Sequence, residues 1–503
     1  MTPAREAAPL LGGARRLRDS ADLPFVASAA GLGILAAVFY ALHPGFALGP
    51  FAARCFLEQS RVLWSAPEAA RELWITLSED PVASAFVYGP LVLAMALLHW
   101  VARRAARQVT FPVGPVVALG FAIAAALSAI AVPVHSADIF DYLAIAELRS
   151  DLGLSPYVEP PTRHPDLPAL RCCGLLVDHG SIYGSAATRL FSLLYFRSLG
   201  VAGFLVVWRA FLAILLGATL LLLDRCWRVL GRAGPERRAL LVTLAWSPLV
   251  LLAGVMHGHV DVIAGFLVAA GCLQVARGRE MAGLVLLAAT VCVKVSFVVL
   301  LPAILARAFF TAGSPRHGLF RAAGVVAAVV VLYAAFLLPH DLSWSFLGPL
   351  ARVQGWSRNS LAQAVRVAVR PLGWAGVVVP ISRVALVVFL GIGLRAVRDR
   401  EGFFRRLARD YVVYVVVFSQ FFYEWYLLAA LVLVVVADDR RLQNVVLLLA
   451  ATSLAIIHAT EMAHVNVPWL TFALYAVLQF PATVLLLLPR PSAPAALAGQ
   501  STS

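Results

Sequence analysis

The chain has 503 residues, 61% of them hydrophobic and only 14% charged, with a mean hydropathy of +0.85. Ordinary soluble domains carry roughly 25% charged residues, so a water-soluble fold, a disordered chain, a coiled coil and a collagen-like repeat are all excluded. The net charge is +14; in a chain this apolar the excess marks arginine-bearing loops on one face of a lipid bilayer, and no nucleic acid is expected as a partner.

Apolar stretches close to the ~20 residues that span a bilayer fall at 26–47, 83–102, 112–133, 202–223, 239–256, 260–276, 322–338, 374–394, 442–459 and 469–488. Two more, 281–309 and 408–437, are too long for one span and carry arginines at both ends. Each predicts a hairpin of two short helices. The fold class expected is an all-α integral membrane protein of about 12–14 transmembrane helices, with both termini inside. Arginines recur at alternate ends of these stretches: Arg103, Arg104 and Arg107, Arg225 to Arg238, Arg277 and Arg279, Arg307 to Arg321, Arg395 to Arg409, and Arg440 with Arg441. That regularity obeys the positive-inside rule and assigns those ends to the cytoplasm. The first stretch follows Arg15, Arg16 and Arg18, and no convincing small-residue cleavage site closes it. It reads as a helix, not as a removed signal peptide.

The chain thus divides into a cytoplasmic N-terminal tail (1–25), N-terminal transmembrane helices (26–111), a central module (112–440), C-terminal transmembrane helices (441–489) and a disordered tail (490–503). Segments 48–81, 134–190 and 339–372 remain outside, the last holding Trp344, Trp356, Arg358 and Asn359. Long ordered loops carry function disproportionately. Cys55, Cys172 and Cys173 fall in these outer segments, so a disulfide from Cys55 to either neighbour competes with three free thiols. No cysteine pair has metal-site spacing.

Several polar clusters interrupt the apolar pattern. The longest outer loop opens with His135, Asp138, Asp141 and Tyr142. Acids three apart share one face of a helix, and a carboxylate at the lipid–water boundary can serve as a general base; helix capping or pairing with Arg149 is the alternative. Tyr183 and Gly184 suit sugar stacking or plain interfacial anchoring. His257, His259 and Asp261 sit at an apolar helix end, where they could ligate a metal or start the next helix. Forty of the chain's 41 basic residues are arginine; the exception is Lys294, at the apex of the first hairpin. A charge within the membrane usually faces the bundle interior or a wet cavity, and a compact ammonium there suits a phosphate; snorkelling is the alternative. The second hairpin peaks at Tyr423, Glu424, Trp425 and Tyr426. With all these groups on the outer face, an enzyme would need an activated donor already delivered there, such as a polyprenyl-phosphate sugar.

Taken in order, these motifs resemble the polyprenol-phosphate-mannose-dependent α-mannosyltransferases of the GT-C superfamily, over residues from about 112 to about 440. Asp138 to Tyr142 is similar to that family's Asp-x-x-x-Tyr, Ser155-Pro156-Tyr157 to its Asn-Pro-Tyr, and Tyr183-Gly184 to its Tyr-Gly-Pro. Gly258 to Asp261 resembles its Gly-His-Asn-Asp, with Val260 in place of Asn; Ser185 stands where the family has Pro. Lys294 and Trp425-Tyr426 match its lysine segment and late Trp-Tyr. The resemblance implies a GT-C-type fold with a long extracytoplasmic first catalytic loop, in a bacterial cell membrane. It implies an inverting transfer of a hexose, mannose above others, from a polyprenyl-phosphate sugar to a glycan or glycolipid. Asp138 is the implied base with Asp141 as fallback, and Lys294 would meet the leaving phosphate. Tyr142, Pro156, Tyr157, Tyr183, Gly184, His257, His259, Asp261, Arg358, Glu424, Trp425 and Tyr426 are candidate substrate contacts. No metal or other cofactor is expected. The same scaffold with another lipid-linked sugar, and a lipid or sugar transporter, are the alternatives.

Overall fold

The computed structural model describes residues 22–46, 81–130, 138–173, 180–232, 234–337, 341, 360–462, 482 and 484–486. Arg358, His135 and the expected disordered tail lie outside the described residues. So does the side-chain pairing of Cys55 with Cys172 or Cys173; Cys226, Cys272 and Cys292 are free thiols, all buried.

The chain is helical from end to end of what is described. Three apolar helices come first, α1 (Leu23–Phe46), α2 (Pro81–Ala105) and α3 (Val113–Ile130). The outer loop then folds into α4 (Asp138–Ser150), α5 (Pro168–Cys173) and α6 (Ser185–Leu193). A long helix α7 (Gly200–Val229) follows, then α8 (Pro235–Ala245) and a π-helical stretch, Leu249–Met256. These two are bent by 42°. Pro248 between them has no N–H to give and clashes with the preceding turn, so the helix breaks there.

The two hairpins expected from length are present. Helix α9 (Asp261–Ala276) leads into the first, which rises through α10 (Glu280–Ala288), turns in 3-10 geometry on both sides of Lys294, and returns as α11 (Leu301–Phe310). After α12 (Pro315–Phe336), α13 (Leu361–Val369) and α14 (Val378–Gly391), the second runs up α15 (Arg400–Val413), crosses an extended apex at Ser419–Tyr423, and descends as α16 (Tyr426–Ala437). Helix α17 (Arg440–Met462) closes the described bundle. Among the described residues, four helices are long and apolar enough to cross a membrane, and five if the bent α8 pair counts as one. The other apolar helices are shorter, at 10–17 residues, because polar apexes interrupt them before the ~20-residue length is reached.

Both α9 and α16 point the same way, from the polar apexes to an end rich in arginine. There the arginines meet carbonyls that a helix C-terminus leaves unpaired. Arg400 donates to Ala276 O (2.7 Å), Arg232 to Val436 O (2.6 Å), and Arg238 to Ala106 O and Arg107 O (3.0 and 2.9 Å). The clusters that sequence assigned to one side therefore gather at one end of the bundle.

Candidate active site

The opposite end collects the polar motifs. Asp138 is the first residue of α4, and Asp141 follows one turn later. Acids in the first turn of a helix are favoured by its exposed N–H groups, so capping and a role in a site coincide here. The Asp138 carboxylate lies 3.5 Å from His259 Nδ1 and accepts a hydrogen bond from Tyr183 Oη at 3.3 Å. Burial by itself would push the Asp138 carboxyl up; the hydrogen bond and charge of His259, the Lys294 charge and the Tyr183 hydroxyl outweigh it and hold it below the usual range. Asp141 goes the other way: burial, then the neighbouring Asp138 charge, hold it well above that range. Two carboxyls one turn apart are thus shifted in opposite directions, the pattern that marks acid–base sites.

Lys294 faces this pair from the first hairpin. Its backbone is extended (φ −151°, ψ 126°), as suits a run of β-branched Val residues. Such backbone needs outside partners at membrane depth, and the outer loop supplies them. Tyr183 and Lys294 form an antiparallel bridge, and Gly184 N–H donates to Val293 O at 2.9 Å. The Lys294 ammonium donates to both oxygens of the fully buried Asp261 (3.1 and 2.9 Å) and sits 3.8 Å over the Tyr426 ring. The ammonium thus has a carboxylate and an aromatic face as its partners in a buried place.

The turn His257 to Asp261 is divided between these two centres. Gly258 (φ +72°) would bring a Cβ to 2.8 Å from Ile139 of α4, and its carbonyl accepts from Trp208 Nε1 at 2.7 Å. That tight turn sends His259 toward Asp138 and Asp261 toward Lys294. The His259 ring is stacked on Trp425 (4.0 Å), which is stacked in turn on Tyr423 (4.3 Å). His257 is buried, edge-on to His259 at 6.1 Å. Among the described residues no group of three His, Cys, Asp or Glu is arranged to hold a metal ion.

The remaining candidates serve the walls and the loop. Tyr142 is buried against Phe191 (4.4 Å), Tyr183 (5.0 Å) and Trp208 (5.7 Å). The Pro156 carbonyl accepts from Ser181 N–H at 2.6 Å, and Tyr157 bonds Thr188 at 3.1 Å; both brace the returning segment. Glu424 is buried at the second apex. Trp208 and Phe191 were not singled out from sequence, and Tyr423 was named at the second apex but not as a substrate contact. Trp208 and Phe191 sit within apolar helical stripes that look like ordinary core, and Tyr423 reads as part of an interfacial belt.

Two expected results test how the loop is seated. At Gly184, a Cβ would stand 2.2 Å from the Cys292 carbonyl oxygen, a backbone atom that cannot step aside. Gly184→Ala should part the Tyr183–Lys294 bridge, lowering thermal stability by about 1–3 kcal/mol and most of the activity with it. An unchanged melting temperature would show that the bridge is dispensable. The second concerns Glu147, which accepts the Ala169 N–H of α5 at 3.2 Å. Burial raises its carboxyl from 4.5 to about 7. The folded chain then holds a proton that the unfolded chain has lost, so this contribution to stability is full below pH 4.5 and is lost as pH rises toward 7. Glu147→Gln should leave the melting temperature at pH 4 unchanged and raise it at pH 8, where stability gains up to about 3 kcal/mol. A variant equally sensitive to pH would remove Glu147 as the cause.

The fold and site define a polytopic membrane protein whose polar chemistry is assembled at one end of the bundle. Residues 32–309, more than half of the chain, match the family described as alpha-(1->6)-mannopyranosyltransferase, N-terminal domain. The chain belongs to that family, and so is a mannosyltransferase of GT-C type. No curated protein and no solved structure matches it. The matched span begins earlier than the resemblance read from motifs and takes in Asp138, Tyr183, His259, Asp261 and Lys294. Trp425 and Tyr426 fall after it and join the site through their contacts with His259 and Lys294.

Proposed function

We propose that the chain transfers mannose from a polyprenyl-phosphate mannose to a hydroxyl of a glycan or glycolipid at the extracytoplasmic face of a bacterial cell membrane, with inversion at the anomeric carbon. The observation that carries this reading is the opposition of Asp138, an ionised carboxylate, to Lys294 across His259 and Tyr183. Exposure separates their roles. The Asp138 side chain is 28% exposed while Asp261 and His259 are at 0%, so Asp138 is the carboxylate that an incoming hydroxyl can reach. Asp261 serves to fix the ammonium.

In this reading the acceptor oxygen attacks the anomeric carbon as Asp138 takes its proton. The bond from that carbon to the donor's phosphate oxygen breaks, and polyprenyl phosphate leaves beside Lys294, whose charge offsets the developing negative charge. A single displacement needs one base and no nucleophilic second carboxylate, which agrees with the opposite shifts of Asp138 and Asp141. The donor carries one phosphate, and the reading assigns no metal or other cofactor. Arginines gathered at the far end of α9 and α16 support an outward-facing site through the positive-inside rule. The family's description suggests an α-(1→6) bond; an α product formed by inversion requires a β-linked donor.

The test incubates membranes containing the chain with labelled β-linked polyprenyl-phosphate mannose and analyses the product by linkage. Label in an α-linked, 6-substituted product is expected. Transfer from a nucleotide sugar alone would overturn the donor assignment, and movement of the lipid-linked sugar across proteoliposomes without transfer would make the chain a transporter.

A further inference from the structure

A second cavity lies away from this site, at the arginine end. It has a volume of about 510 Å³ and opens between α2 and α17. Its walls include Leu93, Leu97 and Trp100 on one side and Asn444 and Leu448 on the other, with Pro248 on its floor. The space exists because the chain bends by 42° at Pro248, drawing the π-helical stretch away from its neighbours. Leu97 is 60% exposed and Leu448 49%, so the groove opens sideways toward what would be lipid. From Asn444 to Thr452 it runs about 12 Å along α17 at helical rise.

One end of the groove is polar and cationic. Positions 93, 97, 100 and 104 follow the three- and four-residue spacing of one helix stripe, which sets Arg104 just beyond Trp100. The Arg104 guanidinium lies 4.6 Å over the Trp100 ring and, among the described residues, makes no ion pair. Its neighbours are engaged: Arg107 and Arg440 share Glu236 (3.1 and 2.6 Å), and Arg103 donates to Asn444 Oδ1 (2.9 Å) and Gln443 Oε1 (2.6 Å). The nearby Asp439 carboxylate accepts the N–H groups of Arg441 and Leu442 at the start of α17. With its oxygen taken by Arg103, Asn444, which lines the groove, has its NH2 group left as a donor. A guanidinium and an amide donor above an apolar trough match a phosphate above an acyl chain.

We propose that this groove binds an anionic phospholipid from the membrane leaflet at the arginine end, its phosphate held by Arg104 and Asn444 and one acyl chain lying over Pro248 between α2 and α17. The site is separate from the donor's phosphate position. Tyr426, beside Lys294, begins α16, and Asn444 lies past the other end of that helix. The lipid would join α17, which lies outside the family match, to α2 within it.

The test is native mass spectrometry of the full-length chain in detergent with added phosphatidylglycerol, phosphatidylcholine or polyprenyl phosphate. One phosphatidylglycerol is expected to bind about tenfold more tightly than phosphatidylcholine, a difference of about 1.4 kcal/mol. Arg104→Gln, at an exposed side chain, should bring that ratio close to one without changing the fold. A photoactivatable phosphatidylglycerol should label peptides containing Leu97 and Leu448. Equal retention of the two phospholipids, an unaltered ratio in Arg104→Gln, labelling elsewhere, or polyprenyl phosphate displacing phosphatidylglycerol would each overturn the proposal.

Discussion

Asp138→Asn is expected to reduce mannosyl transfer by about 10³-fold, within the range a general base supplies, while the chain still folds and still binds donor. Asparagine keeps the size of the side chain and can still accept from Tyr183, but it cannot take a proton from the acceptor. Asp141→Asn is the matched comparison. Burial and the Asp138 charge hold the Asp141 carboxyl above the usual range and favour its uncharged form, so an uncharged amide disturbs it little and transfer should fall less than tenfold. The pH profile follows from the same geometry. His259, Lys294 and Tyr183 hold the Asp138 carboxyl below the usual range against its burial, so activity should persist through mild acid and fall only once the pH drops below ordinary carboxylate values. Equal losses in both variants, or a greater loss in Asp141→Asn, would move the base to Asp141.

Lys294→Met is expected to do two separable things. Methionine fills much of the space of the lysine stem but abandons the fully buried Asp261 carboxylate, and breaking a buried pair this way costs about 3–5 kcal/mol. It also removes the charge proposed to meet the donor's phosphate, so on that proposal use of polyprenyl-phosphate mannose should fall by two orders of magnitude or more, as for a lost oxyanion donor. The double variant Lys294→Met with Asp261→Asn distinguishes the two effects. Asparagine removes the stranded charge, so thermal stability should recover toward that of the unaltered chain while transfer stays low. Recovery of both would show that Lys294 acts only in holding the fold, and the assignment of a phosphate to it would fail.

Much of this site was legible before any coordinates. Lys294 stood out because it alone departs from arginine, and because a charge inside an apolar stretch has a high cost unless something receives it. The paired acids stood out because they break an apolar pattern at the start of a helix. What receives Lys294 could not be read. Asp261 lies 33 residues away in sequence, and nothing in its turn says that it turns from its neighbour His259, two residues back. The tight turn at Gly258 and its seat against Trp208 and Ile139 make that division. The brace formed by Pro156 and Tyr157 likewise depends on a segment that returns some 25 residues later, at Ser181 to Thr188.

Hydropathy and charge are summed residue by residue along the chain, so the sequence by itself determined the membrane class, both hairpins and the gathering of arginines at one end. These follow from transfer free energies that depend on composition and length and hardly on the partner. The site is of another kind. Whether a carboxylate is ionised, which histidine touches it and what neutralises a buried lysine depend on contacts of 3–4 Å between elements far apart in sequence. Only the packing of α4, α9, the two hairpin apexes and the outer loop against one another decided those, because electrostatic and hydrogen-bond energies in a dry interior change steeply with distance.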